Sequence, residues 1–322
     1  MKIRLLLPLA MVGAIGALGN AAFAADVSMP DPNYATATAV MNVIKTAAEQ
    51  ELGLEVSTVT TTAVPVIWEA LDRNKGEVDI WPDVWLPNQQ GLVDKYVKGA
   101  KTVKLADNGY EAKQGYCVTK VTAEQHGIKD VSDLANPDNA KLFDTNGDGK
   151  GEIWIGASGW QSTNIEKVKA RDYGFADFFD LQVTDEAVAG ASLDRAAKEN
   201  KPWVGYCYSP HQNFARYDLV FLNEPKYDPA KFVIVQPNDD PQWFEKSKVA
   251  SAYADTTVHI AYANSLAERQ PELTAALERM SFDPDEISKW AFAIIVDKKP
   301  ADAAAKEWVS AHPDIVGKWF GH

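Results

Sequence analysis

Cysteine is nearly absent from the chain: two in 322 residues, Cys117 and Cys207. A disulfide-built miniprotein is thereby excluded, and so is a multi-cysteine metal cluster. Both cysteines fall in strand-like runs, Gly115-Tyr116-Cys117-Val118 and Val204-Gly205-Tyr206-Cys207-Tyr208. In an exported chain they could pair, and as two buried thiols they could equally stay apart, because sequence does not fix the distance between them. Histidine is also sparse. The five residues at 126, 211, 259, 312 and 322 are scattered singly, with no two at metal-ligand spacing on one helix, which argues against a zinc site. Basic charge is in deficit, 32 Lys and Arg against 45 Asp and Glu for a formal net charge of −13. That balance opposes nucleic acid and anionic membrane as partners. Long apolar runs are missing after the N-terminus, so nothing beyond it reaches the roughly 18 consecutive apolar residues of a membrane span.

The N-terminus is the exception. A basic start (Lys2, Arg4), an apolar run over 5–18 and the small-x-small Ala22-Phe23-Ala24 form an export signal, with cleavage expected before Ala25. No cysteine stands at the cleavage point for lipid attachment. A protein free in the periplasm or outside the cell is the expectation. What remains after residue 24 is long enough for one large domain or two lobes, each with its own core.

Short apolar runs alternate with amphipathic segments, the pattern of an α/β fold. Helical spacing of Ala39, Val43, Ile44, Ala47 and Ala48 predicts a helix over 35–52, stopped by Gly53. A strand over 54–58, a helix over 64–73 and a strand over 78–81 follow, a βαβ-like beginning. Further strands are expected over 116–118, 153–156, 204–208 and 256–261, and helices over 162–173, 191–199, 271–280, 283–290 and 301–311. This order suits two α/β lobes, with the chain leaving the first and returning to it.

Catalytic signals are weak. Gly156-Ala157-Ser158-Gly159-Trp160 begins like a nucleophile elbow, but Trp160 stands where its last glycine belongs. A secreted enzyme on small polar substrates would need a clustered nucleophile and base, and none is visible. The aromatics are more informative. Of ten Trp, several lie in polar, turn-rich surroundings: Trp81-Pro82-Asp83-Val84-Trp85-Leu86-Pro87-Asn88, Ser158-Gly159-Trp160-Gln161-Ser162, with Tyr206-Cys207-Tyr208-Ser209-Pro210-His211 beside them in kind. Rings presented from loops at strand ends can wall a pocket for a cation that has no proton to donate, each worth roughly 0.5–2 kcal/mol once the cation is desolvated. Trp68, Trp290 and Trp308, at helical positions, read as core. Asp83 could add charge attraction or simply cap a turn.

Four stretches, taken in order, carry a resemblance: 83–88 with its Trp-x-Pro, Lys141-Leu142-Phe143-Asp144-Thr145-Asn146-Gly147-Asp148-Gly149-Lys150 followed by Gly159-Trp160, Tyr208-Ser209-Pro210-His211, and Thr257-Val258-His259-Ile260. Together they resemble the glycine betaine/proline betaine substrate-binding proteins of ABC transporters, whose related members bind choline or trimethylamine N-oxide. The resemblance implies a two-lobed α/β periplasmic binding protein of the type II-like Venus flytrap kind, with a hinge between lobes. Lobe 1 would be 25–115 plus 256–322 and lobe 2 would be 116–255. It implies a monomer that closes an aromatic box over a trimethylammonium ligand and presents it to an inner-membrane ABC permease. By position Trp85, Trp160, Tyr208 and Tyr34 match the box, with Tyr208 where betaine binders have Trp and Gln89 where one branch has His. Donors to a betaine carboxylate would be the backbone N–H groups of Gln161 and Ser162 at a helix start, and His211.

The loop 144–152 carries oxygen ligands at positions 1, 3, 5 and 9 of a calcium loop and Gly at position 6, while position 12, usually Glu, is Ile155. Asp144, Asn146, Asp148, Lys150 and Glu152 are therefore candidate ligands for a structural calcium ion, and an Asx-rich turn without metal is the other reading. A calcium-dependent adhesion module would be the corresponding function.

Overall fold

The computed structural model describes residues 25–61 and 63–322. The export signal expected over 1–24 lies outside the described residues.

The chain opens with β1 (Val27–Asp31), a helix (Ala35–Leu52) and β2 (Val56–Thr60), and the two strands pair in parallel. This is the expected βαβ start, although β1 itself was not anticipated and β2 begins two residues late. The helix has the expected limits. Gly53 ends it at φ 65°, its N–H reaching Glu49 O at 3.1 Å, in the left-handed conformation that glycine adopts without a Cβ clash. A second helix (Val64–Asp72) leads to β3 (Ile80–Leu86).

Residues 82–86, expected as a turn-rich loop presenting Trp85, instead continue the strand. Pro82 is tolerated because β3 is the edge of its sheet and its partner strand is irregular opposite the proline, so no ladder donor is needed there.

The scaffold of the whole molecule is β4 (Val103–Thr119), 17 residues long. Val103–Ala112 of this strand pairs antiparallel with β11 (Thr256–Ala263) and, from Lys113 onward, its partner is β7 (Val204–Ser209). β5 (Gly151–Trp154) and β6 (Phe179–Gln182) extend that side in parallel, β8 (Leu219–Phe221) pairs with the end of β4, and β9 (Phe232–Val233) with β10 (Lys248–Val249) forms a separate small ribbon. The order is β3-β11-β4-β7-β5-β6. One strand thus runs through two α/β lobes.

Each lobe has a core of its own. Ile67, Trp68, Leu71, Trp81 and Val84 pack with Ala261 in the first, and Tyr116, Phe143, Ile153, Phe175 and Phe179 in the second. A third cluster unites both lobes, running from the first helix and the C-terminal helices (Pro284–Ile295, Ala301–Ala311, Pro313–Phe320) to Trp85, Trp160, Tyr206 and Tyr208. The two cysteines lie on adjacent strands, Cα atoms 5.7 Å apart, and are joined in a disulfide. The bond ties β4 to β7 and closes a sequence separation of 90 residues, a constraint on the unfolded chain worth roughly 2–5 kcal/mol.

The later helices mostly begin and end near their expected limits. Two depart by five residues: Glu186–Glu199 starts before the expected 191 because Gly190 interrupts the apolar spacing without breaking the helix, and Pro284–Ile295 runs past the expected 290.

Candidate aromatic binding site

Between the lobes lies a cavity lined by Tyr34, Val64, Asp83, Trp85, Asn88, Gln89, Trp160, Gln161, Ser162, Tyr206 and Tyr208. Each wall arrives from a chain element that ends there. Tyr34 is the residue before the first helix, with extended backbone (φ −134°). Asp83 and Trp85 share one face of β3, and Tyr206 and Tyr208 one face of β7, because side chains alternate along a strand. Trp160 caps the helix Gln161–Asp172 after a turn at Gly156, whose φ is 119° and whose missing Cβ would lie 2.3 Å from Thr163 Oγ1. Only glycine fits that turn, and it aims the ring and the helix start into the cleft. Ser158, the elbow-like serine, is exposed instead.

The rings meet at near-right angles. Tyr34 and Trp160 have centroids 5.0 Å apart at 65°, Trp160 and Tyr208 6.0 Å at 79°, and Tyr208 and Trp85 5.4 Å at 84°. Four rings joined at three such corners form a box whose inner surfaces include π-faces. Tyr34 precedes the first helix and Trp85 lies on β3, whereas Trp160 precedes the helix Gln161–Asp172 and Tyr208 lies on β7. Trp154 backs Trp160 at 5.8 Å and Tyr206 lies 6.0 Å from Tyr208.

The polar groups are few and individually held. The Tyr34 hydroxyl donates to Asp83 Oδ2 and the Tyr208 hydroxyl to Glu186 Oε2. Burial pushes the Asp83 carboxyl up to about 6, with hydrogen bonds from Tyr34 and Trp85 opposing the rise. Glu186 is also buried, but the His211 ring beside it, with hydrogen bonds from His211, Tyr208 and Gln212, outweighs burial and keeps its carboxyl below the usual range. Burial, and then the neighbouring carboxylates, push both phenols well above their ordinary values, so the protons stay on the tyrosines. Beneath the box, Gln89 Oε1 accepts from Trp68 Nε1 at 2.7 Å and Trp81 Nε1 at 3.2 Å, and its amide donates to Asp83 O at 2.8 Å. Asn88 and Gln114 bond reciprocally at 2.8 and 3.0 Å, and Gln114 also contacts Tyr206 and Thr256.

The cavity gathers Tyr34, Trp85, Trp160, Tyr208, Gln161 and Ser162. Gln161 and Ser162 open a helix, where first-turn N–H groups have no acceptor within the helix. Gln161 Oε1 and Trp160 Nε1 are likewise buried with no partner among the described residues. His211 stands elsewhere. It packs behind Tyr208 at 4.7 Å and does not line the cavity, so the wall of the box separates it from the position of a direct donor. Asp83 faces the cavity rather than capping a turn. Sequence reasoning missed Tyr206, Asn88 and Glu186. The alternation of Tyr206 with Tyr208 was the available signal for the first, and nothing local marked the others.

The acidic loop is self-bonded. Asp144 accepts from the N–H groups of Gly147 (2.6 Å) and Gly149 (2.9 Å), Asn146 from Asp148, Asp148 from Lys150, and Glu152 Oε2 from Thr145. Among the described residues no three acidic, His or Cys side chains are gathered as a ready metal cluster. Glu152 Oε1, however, is buried without a partner.

Two α/β lobes meeting at an aromatic box have the form of a solute-binding receptor. The family model "Substrate binding domain of ABC-type glycine betaine transport system" matches residues 25–311, and the chain belongs to that family. Among curated proteins it is similar to the glycine betaine/proline betaine-binding periplasmic protein of Salmonella typhimurium (36% identity) and the glycine betaine-binding periplasmic protein OusX of Dickeya dadantii (32%), each match covering 31% of this chain and 30% of the relative. The chain therefore spans, in these matches, under a third of the relatives' length. Among solved structures it resembles an ABC-transporter choline binding protein in complex with choline (TM-score 0.70, 20% identity, 91% and 90% of the two chains). Lactococcal OpuAC in its closed-liganded conformation complexed with glycine betaine gives a TM-score of 0.68, at 23% identity over 91% and 98%. These likenesses carry the two-lobed fold.

The Asp83 environment makes a stability prediction. A carboxyl raised from 3.8 to about 6 stabilises the fold when protonated, an effect present below its ordinary value and lost as pH rises through about 6. At neutral pH the ionised group costs on the order of 2–3 kcal/mol. Asp83→Asn should raise the melting temperature of the ligand-free protein at pH 7.5, with the gain shrinking toward pH 4.5. A gain of equal size at both pH values would contradict the assignment.

Proposed function

We propose that the protein captures a small trimethylammonium compound in the periplasm and hands it to an inner-membrane ABC permease. The observation that carries this reading is the four-ring box. A quaternary ammonium group has no N–H, so shape, dispersion and attraction to π-faces are what a protein can offer it. Glycine betaine is the first choice, in keeping with the family. Its carboxylate would meet the N–H groups of Gln161 and Ser162, the Trp160 indole N–H completing the donor set. Choline is the second reading, favoured by Asp83, a carboxylate in the cavity that could accept the choline hydroxyl. Trimethylamine N-oxide needs fewer donors and remains a candidate of the same class.

Lobe 1 comprises 25–115 plus 256–322 and lobe 2 comprises 116–255 in this reading. The hinge is in the strands near Cys117 and Thr256, and the change of β4 partner from β11 to β7 just before it, between Ala112 and Lys113, supports that placement. Ligand bridges both lobes and holds them shut, and a monomer suffices.

Thermal shift and Trp fluorescence against glycine betaine, proline betaine, choline, carnitine, trimethylamine N-oxide and amino acids test the proposal. A trimethylammonium compound should raise the melting temperature while amino acids do not. Trp85→Ala and Trp160→Ala should each weaken binding about 10- to 30-fold, and because both rings are buried in the cluster that joins the lobes, each should also lower the melting temperature of the free protein, so affinity is measured at a temperature where the variant is folded. Wild-type affinity in both variants would refute the box.

The loop 144–152 is proposed as a structural calcium site. The unpartnered Glu152 Oε1 supports it, and the self-bonded oxygens of Asp144, Asn146 and Asp148 keep lone pairs for a cation, with Lys150 supplying a backbone carbonyl. Calcium should raise the melting temperature by a few degrees, reversibly with chelator, and leave ligand selectivity unchanged. No response to either reagent would leave the loop as a plain turn.

A further inference from the structure

Two of the four box walls are tyrosines, and each gives its hydroxyl proton to a buried carboxylate. Tyr34 donates to Asp83 on the first lobe, Tyr208 to Glu186 on the second. The arrangement occurs twice, on unrelated stretches of chain. Asp83 is 2% exposed and the Glu186 side chain 12%. Glu186 is fixed in turn by His211, whose Nε2 lies 3.3 Å from Oε1. His211 Nδ1 accepts the Asn213 N–H at 3.1 Å, which leaves Nε2 as the nitrogen that donates to Glu186. Among the described residues, neither lysine nor arginine lines the cavity.

A box of neutral rings distinguishes a cation from an uncharged group of the same shape only through the ring quadrupoles. A phenol hydrogen-bonded to a carboxylate gains electron density in its ring, so its face grows more negative. The carboxylate's own charge also acts on the cavity through a medium that screens it poorly. Both effects vanish for an uncharged ligand.

We propose that Tyr34–Asp83 and Tyr208–Glu186 are charge-reading pairs, in which the carboxylates position the two rings and set the preference of the site for a positively charged head group over an uncharged head of identical shape. The proposal rests on the reading that the box holds an onium group. Glu186 and His211 act through Tyr208 and are positioning residues, whereas Asp83 also faces the ligand.

The test uses ligand pairs that differ only by nitrogen or carbon at the head: glycine betaine against 3,3-dimethylbutanoate, and choline against 3,3-dimethyl-1-butanol. Affinities are measured by calorimetry for wild type, Asp83→Asn and Glu186→Gln, in which the amide keeps the acceptor oxygen and the size but loses the charge. The onium-to-isostere affinity ratio should fall about tenfold in each variant. A merely structural role would weaken both ligands together, and a ratio within twofold of wild type would overturn the proposal. Tyr208→Phe provides a second route if an amide variant fails to fold, since it uncouples the ring from Glu186. Its ratio should also fall, and an unchanged ratio would overturn the proposal. Wild type that binds no onium compound would refute the box reading and this one with it, whereas wild type that binds while all variants keep its ratio would refute this one alone.

Discussion

A permanent cation without a proton to donate cannot be held by the hydrogen bonds that serve most small polar ligands. It must be taken out of water, and the loss of hydration must be offset by surfaces that are both apolar and electronegative. Aromatic faces meet that requirement, but only when several enclose the ion. In the proposed reading the box divides between two lobes, Tyr34 and Trp85 on one side and Trp160 and Tyr208 on the other, and the rest of the architecture brings these pairs together.

The 17-residue strand β4 makes that division workable. Pairing with β11 over its first half and β7 over its second, it gives each lobe a sheet edge to build on and keeps the covalent connection short. Gln114 stands just beyond the change of partner, bonded to Asn88 and Thr256 on one side and Tyr206 on the other. This contact joins the floor of the box to the strand through which the lobes are joined. Ring geometry and lobe position are thus set by the same few residues, with the disulfide from Cys117 to Cys207 holding the lobe 2 side of the strand in register.

Much of this was legible in the sequence because it is local. Alanine and valine at helical spacing before Gly53 defined the first helix to the residue, Trp85, Trp160 and Tyr208 stood out by their place in turn-rich motifs, and Tyr34 by the family resemblance. What escaped depends on long-range pairing. Asp83 reads as a cap until Tyr34, 49 positions away, is seen to donate to it. Glu186 looks like an ordinary surface acid until the lobe 2 fold places it under Tyr208. His211 lies three residues from Tyr208, yet the turn after β7 carries it behind the ring instead of into the cavity. The cysteine pairing was undecidable for the same reason, since the register of β4 against β7 is a tertiary fact. Pro82 misled in the opposite direction, because an edge strand tolerates a residue that an interior strand excludes.

Calorimetric titration of the protein with tetramethylammonium ion, which is the head group alone with no tail to hydrogen-bond, tests the account most directly. It predicts saturable one-to-one binding, with a negative heat-capacity change from buried apolar surface, that competes with glycine betaine. Absence of binding, or binding that leaves the glycine betaine site free, would contradict it.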